Sequence, residues 1–218
     1  MTAKLYIGVF MLLAGTLYSC QKDEEMNKLD ADYRVMTDYD PETDFSQFQS
    51  YYLADSILFV GQDEKPQYLD SLQAKPILNA CHRNMQERGY SRAASKESAD
   101  LGLQMTYIAS TRHFVGYTAS PYWWWGFFGY WSPFYWGNWG YWYYPYPVSF
   151  NVSTGALLTD MLNLKAEQGA DKRLPVVWQS YQTGLLHNSD VLNITLAARG
   201  IEPVSYTHLR AHETRSNL

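Results

Sequence analysis

The 218-residue sequence holds only two cysteines, and its longest apolar run, Leu5 to Leu17, is too short for a spanning helix. A helix that crosses a ~30 Å hydrocarbon core needs roughly 20 such residues. Basic charge is also scarce: 17 Lys and Arg stand against 22 Asp and Glu, a net charge of -5. No basic stripe exists to neutralise phosphates, so nucleic acid is excluded as an expected partner. The sequence lacks G-x-S-x-G, a phosphate loop, C-x-x-C and any carboxylate pair that stands out from surface charge, so no catalytic residue, cofactor or metal site is expected.

What is present begins with Cys20. Lys4 supplies a positive start, Leu5 to Leu17 an apolar stretch, and Leu17, Tyr18, Ser19 and Cys20 follow directly. That run resembles a lipobox, whose cysteine receives a diacylglycerol thioether and, after cleavage, usually an N-acyl chain. Two or more acyl chains, at ~0.8 kcal/mol per buried CH₂, hold a protein on a bilayer without a spanning segment. Residues 1–19 are therefore expected to be a cleaved signal, with the lipid bilayer as a partner through acylated Cys20. Residues 20–32 form an acidic tether in which Lys22, Asp23, Glu24 and Glu25 look like an export tag for the outer face of an outer membrane; a solvated, disordered segment is the plainer reading of the same charges.

The acidity is concentrated at this end. From Lys22 to Glu64 there are twelve acidic residues against three basic ones, and from Lys65 to Glu202 nine against eleven. Asp38, Asp40, Glu42 and Asp44 alternate, but the loop lacks the central Gly and distal Glu of a calcium hand, so a solvated acidic turn is expected. His82, His113 and His187 are scattered outside any metal-ligand spacing. With Cys20 lipidated, Cys81 has no internal disulfide partner and reads as a small buried hydrophobe on a helix face with Ile77, Ala80 and Met85.

At the far end, Pro203 to Thr214 read PVSYTHLRAHET, which looks like the translation of a sequencing adapter. Residues 203–218 are accordingly set aside from fold reasoning, with the native sequence expected to stop near Glu202. His208 and His212, at the i,i+4 spacing of helical zinc ligands, lie in that stretch and receive no role.

Period-2 alternation predicts strands over Tyr33 to Tyr39 and Leu101 to Ala109 (with one core-facing side); Ser50 to Leu53 reads as a short strand, and Ala156 to Leu164 and Pro175 to Thr183 as two more joined by the polar turn Glu167 to Lys172. Pro76 and Gly89 predict a helix from about Pro76 to Arg88, preceded by a turn over Tyr68 to Ala74. Asn188 or Ser189 caps a last helix through Val191, Leu192, Thr195, Leu196 and Arg199. The segregated order predicts α+β: a mostly antiparallel sheet of about five strands, two helices on one face, and a long aromatic-rich loop insertion over residues 111–154.

Within that insertion, Tyr122 to Pro147 holds seventeen aromatic residues, four Gly, three Pro, one Ser, one Asn and no charge. Its seven tryptophans, Trp123, Trp124, Trp125, Trp131, Trp136, Trp139 and Trp142, are candidate binding residues. Rings of ~150 to 250 Å² each exceed by far the few hundred Å² of apolar patch a monomer ordinarily exposes. The segment should therefore find cover, and several kinds compete: a bilayer interface, where Trp and Tyr sit at headgroup level; sugar rings, for which Ser132 and Asn138 are nearly the only polar partners in the block; an envelope protein or a second copy; or, as the plainer reading, its own sheet or a loosely ordered Gly/Pro/aromatic low-complexity segment.

The order of Cys20, Val35 to Asp40, DFSQFQSYY at Asp44 to Tyr52, Gly89 with Tyr90, Asp100 to Tyr107, Gly155 to Asp160 and VVWQSYQTG at Val176 to Gly184 resembles the bacterial lipoprotein family called domain of unknown function 4136. The resemblance covers about residues 33–202. It implies an α+β envelope lipoprotein domain with no established activity and no functional residues to carry over. The expectation is a membrane-anchored, non-enzymatic structural or interaction module, with binding of glycans or hydrophobic ligands by the aromatic block as the alternative.

Overall fold

The computed structural model describes residues 33–61, 67–109, 133–147, 153–186 and 188–204. In chain order these hold β1 (Arg34–Tyr39), β2 (Ser50–Leu53), β3 (Leu58–Val60), β4 (Gln67–Tyr68), α1 (Ser71–Glu87), β5 (Ser91–Arg92), β6 (Leu101–Ile108), β7 (Tyr141–Tyr143), β8 (Ala156–Asn163), β9 (Arg173–Thr183) and α2 (Asp190–Val204). The sheet runs β1-β9-β8-β6-β2-β5, with β3 between β6 and β4, and β7 beside β9. The α+β class holds, but the sheet is larger than the expected five strands, and it is mixed.

Its centre is antiparallel: β1 with β9, β9 with β8, β8 with β6. Its flank is parallel, because β2 and β3 both run alongside β6, on residues 101–103 and 106–108, and β5 continues outward from β2. The strands that alternation missed (β3, β4, β5, β7) are two or three residues long, too short to carry a period.

One face of this sheet carries both helices, as expected. Ala74, Ile77, Ala80, Cys81 and Met85 of α1 and Ile194, Leu196, Ala197 and Ile201 of α2 join one buried cluster with Leu103, Met105, Leu157 and Met161. Asn84 Nδ2 ties the helices together by donating to the Ile201 carbonyl at 2.9 Å.

Helix α1 starts five residues before Pro76, which corrects the predicted turn over 68–74. Asp70 supplies the stronger start signal: its carboxylate accepts from the Leu72 amide at 2.8 Å. Pro76 forfeits one bond, to the Leu72 carbonyl, in the first turns where Leu72 is 82% exposed. Burial of Ala74 and Ile77 outweighs that loss. Gly89 ends the helix at φ +86°, the left-handed geometry expected of it. Ser189 caps α2, accepting from the Leu192 amide at 3.4 Å.

The second correction concerns β6. Alternation predicted one core-facing side, yet all eight of its residues are buried, as are nearly all of β8 and β9. A second layer must therefore cover the face away from the helices. Among the described residues no helix is long and apolar enough to cross a membrane.

Tyr33 closes the helix side. Its hydroxyl donates to Gln182 Oε1 at 2.8 Å and lies 3.1 Å from the Leu196 carbonyl. Gly200 of α2 makes room for it, since a methyl at position 200 would overlap the Tyr33 hydroxyl. Gly200→Ala should therefore destabilise the protein by about 1–3 kcal/mol in urea melts, although the same change in an open helix stabilises by up to ~1 kcal/mol.

Candidate functional site

The face opposite the helices is built from Gly102, Gln104, Thr106 and Ile108 of β6 and their cross-strand neighbours Leu162, Asp160, Leu158 and Ala156 of β8. Its cover is the second half of the aromatic block. Trp136, Trp139 and Trp142 are buried against Leu158, Leu162, Leu174, Val176 and Tyr181. These three tryptophans, expected as candidate binding residues, are thus core: their rings are spent on the chain's own sheet. Trp123, Trp124, Trp125, Trp131 and Ser132 lie outside the described residues, as do Cys20, Lys22, Asp23, Glu24, Glu25, His113, His187, His208 and His212.

Several devices seat this layer. β7 pairs in parallel with Arg173 to Pro175, and the Gly140 amide donates to the Lys172 carbonyl at 2.7 Å. The Trp136 ring lies directly on Gly102, where a Cβ would collide with it. Tyr135 meets Trp136 edge to face at 5.1 Å, and Lys96 Nζ stands 3.6 Å over the Tyr135 ring while donating to the Tyr135 carbonyl. The Arg173 guanidinium lies 4.6 Å over Tyr143. The Asn138 carbonyl accepts from Gln168 Nε2 at 2.9 Å.

Under the aromatics runs a polar row that the sequence did not announce: Gln104, Asp160, Gln179 and Asp38 stand opposite one another on β6, β8, β9 and β1. Asp160 is 1% exposed and Gln179 fully buried. Trp136 Nε1 donates to Gln104 Oε1 at 3.2 Å, and the Tyr144 hydroxyl donates to Asp160 Oδ1 at 3.1 Å. Tyr146 packs on Tyr144 with its own hydroxyl buried. Among the described residues neither that hydroxyl nor the Gln179 amide has a hydrogen-bond partner. Burial pushes the Asp160 carboxyl up to about 7 against the hydrogen bonds from Tyr144 and Gln104. Burial, then the charges of Asp160, Asp38 and Asp40, raise the Tyr146 phenol above its ordinary range. The arrangement is a buried acid held by the Gln104 amide and the Tyr144 phenol, suited to fixing the aromatic layer in one register. The available signal was an Asp inside the apolar strand ALLTDMLN.

Other titratable groups sit in structural settings. Burial pushes the Cys81 thiol up to about 12, so it is no nucleophile at neutral pH. His82 Nδ1 lies 3.1 Å from the Tyr51 hydroxyl, and burial and then the Arg92 charge hold His82 below its ordinary value. Asp100 Oδ2 accepts from the amides of Gln49 and Ser50 and from Ser50 Oγ, each at 2.9 Å. Burial works against the charged form of Asp100, and these bonds outweigh it and hold the carboxyl below its ordinary range. Asp100 thereby clamps the entry to β2. In the acidic turn, Asp40 accepts from the Glu42 amide at 3.1 Å and Thr43 Oγ1 at 2.7 Å, and Asp44 from the Ser46 amide at 3.0 Å. Among the described residues no three His, Cys, Asp or Glu side chains cluster as metal ligands.

Residues 35–200 match the family model described as a domain of unknown function, DUF4136. The chain belongs to the DUF4136 family. A crystal structure of a DUF4136 family protein from Bacteroides thetaiotaomicron is similar at 49% identity and TM-score 0.69, covering 84% of this chain and 95% of that one. A PelC dodecamer structure from Paraburkholderia phytofirmans matches at 9% identity and TM-score 0.34, over 79% of this chain and 97% of that one, and nothing is carried over from so low a likeness. No curated protein matches.

The DUF4136 domain's buried acid gives a pH signature. Folded Asp160 keeps its proton up to about pH 7, whereas an unfolded Asp releases it near 3.8. The folded state therefore binds the extra proton across that window; the stability it brings is complete below about pH 4 and is lost as the pH rises to about 7, on the order of 4 kcal/mol at most. Asp160→Asn, with the Gln179 amide as a new partner, should stabilise the domain near neutral pH. It should also flatten the loss of stability between about pH 4 and 7 in denaturant melts.

Proposed function

We propose that this DUF4136 protein is a lipid-anchored envelope module, held on an outer membrane by acylated Cys20 and working as a structural or interaction element rather than an enzyme. The observation that carries the proposal is the run Leu17, Tyr18, Ser19, Cys20 at the end of a short apolar segment that follows Lys4. Residues 20–32 then join the lipid to a domain that begins at Tyr33, and their Lys22, Asp23, Glu24 and Glu25 fit a surface export tag. The non-enzymatic reading draws support from the titratable groups described above, each tied into a cap, a clamp or the core. Burial of Trp136, Trp139 and Trp142 narrows any contact with a bilayer, an envelope protein or a second copy to Trp123, Trp124, Trp125 and Trp131.

Intact mass spectrometry of the natural protein tests the anchor. The expected product lacks residues 1–19 and carries acyl chains on Cys20, and Cys20→Ala should move the protein from the membrane to the soluble fraction. An unmodified thiol, or a leader still attached, would overturn the proposal. Protease shaving of intact cells tests the address: substituting Lys22, Asp23, Glu24 and Glu25 with Ala should abolish cleavage at the surface while leaving the acylation intact. The alternative, binding of glycans or hydrophobic ligands, would be favoured if deleting residues 122–132 removed such binding without unfolding the domain.

A further inference from the structure

A cavity of about 20 Å³ lies between the helices and the sheet. Four sulfur-bearing side chains line it: Cys81 and Met85, one turn apart on α1, Met105 on β6, and Met161 on β8; the rest of the wall includes Asn84 of α1, Thr159 of β8, and Trp178 and Ser180 of β9. The sulfur is concentrated there. Of the seven methionines, Met1, Met11 and Met26 precede the domain and Met36 packs on the aromatic side. All three that remain line this one space, together with the domain's single cysteine.

Methionine fills irregular gaps in many cores, but gap-filling does not call for three thioethers and a thiol arriving from three separate elements around a space left open. Two further groups are in place. Trp178 Nε1 and Ser180 Oγ are buried without a hydrogen-bond partner among the described residues, so the wall is not purely apolar. Hard cations are held by several oxygen ligands with carboxylates among them, whereas this wall has no carboxylate and only the side-chain oxygens of Asn84, Thr159 and Ser180; zinc sites are built from thiolate, imidazole and carboxylate rather than thioether. Thiolate and thioether donors select soft monovalent d¹⁰ ions. A space of roughly one water volume suits such a dehydrated ion, and an indole wall adds cation–π attraction.

We propose that this cavity is a binding site for one soft monovalent metal ion, copper(I) or silver(I), held by Cys81 Sγ and the thioethers of Met85, Met105 and Met161. On binding, the S–H bond of Cys81 breaks, an S–metal bond forms, and the proton leaves to solvent. The metal arrives and stays in the +1 state, so no electrons are exchanged. A thiol gives up its proton when it binds a metal, so loading releases one proton, and apparent affinity should rise with pH around neutrality.

The test uses the full chain carrying Cys20→Ser, which leaves Cys81 as the sole thiol. Silver(I) is titrated by calorimetry, and copper(I) is delivered anaerobically from a chromogenic chelator. The expected result is one ion per chain with a sulfur-only shell by X-ray absorption. Met105→Leu and Met161→Leu, near-isosteric core changes, should keep the fold by circular dichroism and weaken binding about tenfold or more, as expected for a lost ligand. Cys81→Ala should weaken it further and abolish the pH dependence. Binding unchanged in all three variants, an oxygen- or nitrogen-rich shell, or no uptake by a folded chain would overturn the proposal.

Discussion

The constraint on which this structure depends is that its central strands are buried on both faces. β6 presents Leu101, Leu103, Met105 and Tyr107 to the helices and Gly102, Gln104, Thr106 and Ile108 to the other side, and both sets are buried. Helices α1 and α2 satisfy the first face. Among the described residues no α-helix covers the second, and Trp136, Trp139 and Trp142 pack on it instead. Their burial is worth on the order of 10 kcal/mol as an upper bound. The aromatic block, which by composition looks like an appendage, is in its second half the missing layer of the fold.

A layer of aromatics slides easily, because ring contacts are broad and weakly directional. The polar row beneath supplies direction. In the observed placement Trp136 Nε1 reaches Gln104, the Tyr144 hydroxyl reaches Asp160 and the Trp136 ring rests on Gly102, three directional contacts that a slide of the layer would break. Burying Asp160 and Gln179 works against stability, and what it gains is register. On the helix side Asn84 has the same part, joining α1 to α2 through the Ile201 carbonyl.

The framework was legible in the sequence wherever a period ran long enough. The five expected strands are present as β1, β2, β6, β8 and β9, with clear alternation in β1 and β6, and Gly89 marks a helix end. The mixed character of the sheet was not legible, because β2 and β3 join β6 in parallel through short, separate segments that carry no pattern. Pro76 misled, since proline reads as a helix start while Asp70, six residues earlier, is the true cap. The aromatic block resisted reading for a physical reason: a bilayer interface, a partner surface and a protein's own sheet all reward Trp and Tyr, and composition does not distinguish them. Asp160 was hidden because an acid in an apolar strand looks like an exposed position until the second layer is known.

The claim that the second half of the aromatic block is core rather than appendage is tested most directly by the unfolding free energy of Trp142→Ala, at a side chain 2% exposed. A core layer predicts a loss of about 3–5 kcal/mol in a single cooperative transition. A variant that folds and melts within about 0.5 kcal/mol of the parent, as surface substitutions do, would contradict the account.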